Sequence, residues 1–102
     1  MKLARTEKIF NSETGTKTFI LGCECAYSSD EIAVSVDDGK ITATGKLDKD
    51  SASFSIGFMN LQSGEICSEA EDGIFSVIGS ETLYSITFSA ESKATATVKI
   101  LC

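Results

Sequence analysis

The chain has 102 residues, 42% of them hydrophobic, with a formal charge of −6 and a pI near 4.5. That length accommodates one domain, residues 1–102, with enough core to fold without a metal or disulfides. The acidity argues against nucleic acid, whose phosphates call for clustered Lys and Arg, and equally against docking on an anionic membrane.

The charge is unevenly distributed. Residues 1–18 hold Lys2, Arg5, Lys8 and Lys17 against Glu7 and Glu13, so a basic start precedes a body carrying −8. Residues 2–10 have no cleanly apolar face, since Leu3 and Ile9 alternate into register with Arg5 and Glu7. Residues 1–17 therefore read as an edge strand, which often carries Lys or Arg as protection, or as an arm that pairs with a neighbouring subunit by strand addition. Phe19-Ile20-Leu21 is the longest apolar stretch near the start, far short of a signal-peptide core. This points to synthesis in the cytosol, followed by retention there or assembly into a virion; secretion by way of a removed signal stays open.

From residue 18 onward, alternation with a period of two dominates. Phe19, Leu21, Cys23, Cys25 and Tyr27 share one face of a predicted strand over residues 18–27. Ile32, Val34 and Val36 alternate with polar or small residues and lead into Asp37-Asp38-Gly39-Lys40; Ile41 and Ala43 then alternate on the far side. Because Asp-Gly tolerates positive φ, this segment reads as a β-hairpin. Ala52, Phe54, Ile56 and Phe58 form the apolar face of one further strand, and a short strand lies at residues 74–78. Tyr84, Ile86, Phe88 and Ala90 define another. After a loop at Glu91-Ser92-Lys93, Ala94, Ala96, Val98 and Ile100 line the inner face of the last strand. No window carries apolar residues at helical spacing over three turns. About seven strands with turns at intervals of about ten residues predict an all-β protein, an antiparallel β-sandwich with an N-terminal edge strand or arm.

The segment Gly79-Ser80-Glu81-Thr82-Leu83-Tyr84-Ser85-Ile86 resembles the entry into the F strand of an immunoglobulin-like sandwich, a module found in phage virion and bacterial surface proteins. The resemblance covers the last quarter of the chain. It implies that Tyr84 is the corner tyrosine, that Ile86 stands where antibody domains place a cysteine, and that residues 94–101 form the neighbouring G strand. The chain departs from the family in lacking a central Trp and cysteines at the family's spacing. A jelly roll is the alternative architecture.

Four cysteines, three acidic segments and the catalytic residue types bear on function. Cys23-Glu24-Cys25 lacks the C-x-x-C knuckle usual in structural zinc sites, so its thiols read as small core hydrophobes. Disulfides to Cys67 or Cys102 are the second reading, and terminal Cys102 is the candidate cross-linking thiol. Asp37-Asp38, Asp48-Lys49-Asp50 and Glu69-Ala70-Glu71-Asp72-Gly73 lack the alternating frame of a calcium loop and read as solvated turns. The sequence has no histidine, which removes the commonest general base. No enzyme activity, cofactor or metal is expected.

These features point to a non-enzymatic structural or binding module, a subunit of a larger assembly such as a phage capsid decoration or tail protein. Its expected partners are protein neighbours, including copies of itself in a homo-oligomer. The predicted interface sets Lys2, Arg5 and Lys8 against Glu65, Glu69, Glu71 and Asp72 of the next copy. The alternative is a small acidic inhibitor that occupies a basic surface on an enzyme.

Overall fold

In the computed structural model, the structure describes residues 4–20, 31–79 and 83–101, with side chains for 6–20, 32–79 and 83–100. Residues 21–27 of the strand expected over residues 18–27, and the thiols of Cys23, Cys25 and Cys102, lie outside these residues.

Among the described residues, seven strands form one antiparallel sheet: β1 (Ala4–Ile20), β2 (Glu31–Lys46), β3 (Phe54–Ile56), β4 (Phe58–Asn60), β5 (Ile66–Cys67), β6 (Ala70–Val77) and β7 (Ser85–Leu101). Their spatial order is β1-β7-β2-β6-β4-β5, with β3 paired to β2. The all-β antiparallel class and the N-terminal edge strand are as the sequence predicts. The division into strands is different, because three long strands replace several short ones.

Those long strands cannot be straight. At about 3.3 Å per residue, seventeen residues would reach about 55 Å, whereas the longest extent of the molecule is 34 Å. Each long strand is irregular at the same level of the sheet. The β1–β7 ladder shifts register between Lys8 and Phe10, Asn11 and Glu13, and Glu13 and Gly15. The β2–β7 ladder shifts between Val36 and Asp38 and between Asp38 and Thr42. Bulges bend a strand and sharpen its twist, so aligned bulges fold the sheet over on itself. One half contains residues 4–11 of β1, 94–101 of β7 and 31–36 of β2, continued by β6, β4 and β5. The other contains residues 15–20, 85–90 and 41–46, joined by β3.

Two expectations change at this corner. Asp37-Asp38-Gly39-Lys40 does not close a hairpin; β2 runs on through it, and residues 42–46 pair with 85–89 instead of turning back on 32–36. Likewise Glu91-Ser92-Lys93 is the bend of β7 and no loop. The residues expected as separate F and G strands are thus two halves of one strand, and they do not pair with each other in the immunoglobulin manner. Tyr84 is half-buried in the bend before β7, where its N–H donates to the Lys46 carbonyl at 2.8 Å. Although alternation in sequence groups it with Ile86, Phe88 and Ala90, it does not share their full burial in the core.

The corner rests on local chemistry. Gly39 has φ +72°, and a Cβ there would fall on the Lys93 carbonyl and 2.9 Å from Ala94 Cα. In β1, Ser12 takes φ 57°. The backbone donors that leave the ladder find side-chain acceptors: Ser12 N–H donates to Thr95 Oγ1 at 3.0 Å and Asn11 N–H to Glu13 Oε1 at 3.3 Å.

Inner faces from both halves contribute to one hydrophobic cluster. Ile32, Val34 and Val36 on β2, and Ala94, Ala96, Val98 and Ile100 on β7, are buried as their alternation predicts. The bulge after Lys8 turns both Ile9 and Phe10 inward, each only 1% exposed, where plain alternation would bury one of them. The strand expected over residues 52–58 breaks at Gly57. Its first part pairs with β2 in one half, and β4 crosses to β6 in the other. Ile56 and Phe58 are buried, while Ala52 and Phe54 are exposed and do not share that inner face. Edge-to-face contacts between Phe58 and Phe75 and between Phe19 and Phe88, each with centroids 6.1 Å apart, fill the two halves.

Candidate interaction surface

The sheet has opposite chemistry at its two ends. At the β1 end, Lys8 and Lys99 project from the outward face: Lys8 is paired with Thr97 and Thr6 with Lys99, while the intervening Val98 and Ile100 point inward. Both lysines are exposed. At the other end lie β4, β5 and β6, with the exposed carboxylates of Glu65, Glu69, Glu71 and Asp72. No Lys or Arg occurs between residues 51 and 92.

The sequence-predicted interface residues therefore divide. Glu69 approaches Lys40, Oε2 to Nζ 3.6 Å, an exposed pair worth about 0–1 kcal/mol. Glu71 and Asp72 join Asp37, Asp38, Lys40 and Ser92 around an open groove of about 490 Å³ at the corner. Two acidic segments that look unrelated in sequence meet there because Lys40 pairs with Glu71 and Ile41 with Ala70. Glu65, Glu69 and Glu71 also border a smaller groove of about 230 Å³ with Asn60, Cys67 and Phe75. Lys8 is at the far end of the strand order from all of them. Lys2, the Arg5 side chain and Cys102 lie outside the described residues. Cys67 is half-buried, its Sγ donating to the Phe58 carbonyl at 3.7 Å.

An apolar patch that sequence reasoning missed occupies the outward face of the acidic end. Met59 pairs directly with Ile66 on one side and with Ser76 on the other, and Ile74 and Ile78 flank Ser76 on the same face of the sheet. A Cβ on Gly57 would touch both Ile78 Cδ1 at 3.5 Å and Ile66 Cγ2 at 3.7 Å, so those two side chains meet over the glycine. Leu61 continues the patch, its N–H donating to the Ile74 carbonyl at 3.0 Å. All five are exposed, Ile66 to 71%. Scattered apolar residues are normal on a surface, whereas a contiguous group is a candidate interaction site. A signal was present in the sequence: Ile74-Phe75-Ser76-Val77-Ile78 is apolar at both parities, more than a one-sided strand needs.

The β4–β5 turn that presents Leu61 and Ile66 is held by Asn60. Its Oδ1 accepts from the N–H groups of Gln62 at 2.8 Å and Ser63 at 3.1 Å, and its carbonyl accepts from Gly64 N–H at 2.7 Å. Asn60→Ala is expected to cost about 1 kcal/mol in urea unfolding, because in this exposed loop water replaces the lost acceptor. An unchanged midpoint would mean that Gly64 alone sets the turn.

No protein-family model matches the chain, and no curated protein matches it. Among solved structures it is similar to the crystal structure of SPBc2 prophage-derived protein YomS, with a TM-score of 0.74 and 12% sequence identity. The likeness covers 100% of this chain and 96% of that one, so the bent all-β sheet is a fold shared with a prophage-derived protein.

Proposed function

We propose that this protein is a non-enzymatic structural module, made in the cytosol and built into a phage-related particle as a decoration or tail subunit. The observation that carries this reading is the end-to-end fold likeness to a prophage-derived protein at 12% identity. The step from shared fold to shared setting is analogy, since fold alone does not carry function. The surface supports it independently: the candidate site is an exposed apolar patch with charged surroundings, which suits a protein neighbour better than a small substrate. The absence of histidine fits the same reading. The corner groove, with four carboxylates around Lys40, favours a second reading as an acidic inhibitor of a basic surface.

Mass spectrometry of particles purified from the host that encodes the chain separates the two. The assembly reading expects the chain at a fixed copy number relative to the major capsid or tail protein. Its presence in the host lysate but not in purified particles would overturn that reading.

A further inference from the structure

We propose that the apolar outward face of β4, β5 and β6 is a docking site for a second copy of this chain, covered by that copy's β1–β7 end. The proposal deepens the assembly reading and rests on it. Three observations lead to it. Met59, Leu61, Ile66, Ile74 and Ile78 form a contiguous exposed patch. Glu65, beside Ile66, and Asp72, two residues before Ile74, lie in a stretch without a positive charge from residue 51 to 92. The matching positive charge, Lys8 with Lys99, sits on the outward face at the opposite end of the same sheet.

Charge decides which copy-to-copy contact forms. A two-fold contact centred on the patch would set each copy's carboxylates against the same carboxylates of the other, and like charges brought together oppose association. A head-to-tail contact sets Lys8 and Lys99 against the carboxylates of residues 65–72. The aliphatic stems of the lysines and the methyls of Thr6 and Thr97 then cover the patch. An interface of ordinary size takes about 20–30 residues a side, so the five apolar side chains form its centre and the charges its rim. Because the two surfaces differ, each copy of a docked pair keeps one of its two surfaces free, and the contact propagates into a ring or a filament.

The test is light scattering after size exclusion on the full-length chain and two double variants. Ile66→Arg with Ile74→Arg spoils the patch, and Lys8→Glu with Lys99→Glu spoils the basic end. All four positions are exposed, and unchanged circular dichroism checks that both variants fold. The intact chain is expected to rise above one chain's mass with concentration, and each variant is expected to stay at one chain. An equimolar mixture of the variants restores one good contact and should give two-chain species and nothing larger. A mixture that stays at one chain's mass, or a patch variant that still associates, would overturn the head-to-tail assignment. An intact chain that remains single at every concentration while appearing at fixed copy number in particles would overturn this inference and leave the assembly reading standing. Failure to appear in particles, with self-association intact, would do the reverse.

Discussion

A chain shortened to begin at Asn11 is expected to lose its cooperative fold. The basic N-terminal segment reads in sequence as a detachable arm or an edge strand, and the structure makes it part of the core wall. Ile9 and Phe10 are each 1% exposed and belong to the central cluster. Truncating side chains of this kind costs about 2–5 kcal/mol for Ile and about 3–5 kcal/mol for Phe. Removing the strand also strips the β7 half at residues 96–101 of its β1 partner. Natural domains are stable by only about 5–15 kcal/mol, so the combined loss takes most or all of it. Far-UV circular dichroism and urea unfolding check this, with Phe10→Ala alone expected to stay folded but lose about 3–5 kcal/mol. A shortened chain that unfolds cooperatively would show that residues 4–10 are an arm after all. The outcome also bears on assembly, because a strand this deeply packed cannot be lent to a neighbour without unfolding its own half of the sheet. The bulges and lysines along β1 further blunt its free edge against strand addition.

Gly39→Ala is expected to be the most damaging single-methyl addition at the corner. A left-handed conformation costs a non-glycine residue about 1–2 kcal/mol, and overpacking adds about 1–3 kcal/mol. Here the obstructing atoms are backbone, the Lys93 carbonyl and Ala94 Cα, so they cannot swing aside as a side chain would. Gly64 supplies the control: it has φ +77° and open space around a Cβ, so Gly64→Ala should cost only the conformational part, about 1–2 kcal/mol. Urea midpoints of the two variants measure the difference. Equal losses would mean that β2 and β7 can separate at the bend without penalty, and that the fold-over does not depend on their close approach.

Much of the core was legible from alternation alone. Ile32, Val34, Val36, Phe88, Val98 and Ile100 are buried where a period of two puts them, because the pleat of a strand fixes which side each residue faces. The corner was not legible. Asp38-Gly39 supplies positive φ equally well to a hairpin turn or to a bulge in a continuing strand. The choice falls to residues 85–89, which pair with residues 42–46 from 39 to 47 positions away. The same limit hid the bulge that buries Ile9 beside Phe10. It also hid the switch at Gly57, where an unbroken alternation spans two strands in different halves of the sheet.

The candidate site divides along the same line. Residue identity determined the acidic body, the basic N-terminal strand, the antiparallel β class and the inward set of apolar side chains, since charge and side-chain parity are properties of short stretches. Tertiary structure decided which of these features are neighbours. It gathered Asp37, Asp38, Glu71 and Asp72 around one groove, joined Met59, Ile66, Ile74 and Ile78 into one patch, and put Lys8 and Lys99 at the other end of the sheet. The physical reason is that strand order is set by long-range backbone pairing and burial of the common core, neither of which any local window of sequence contains.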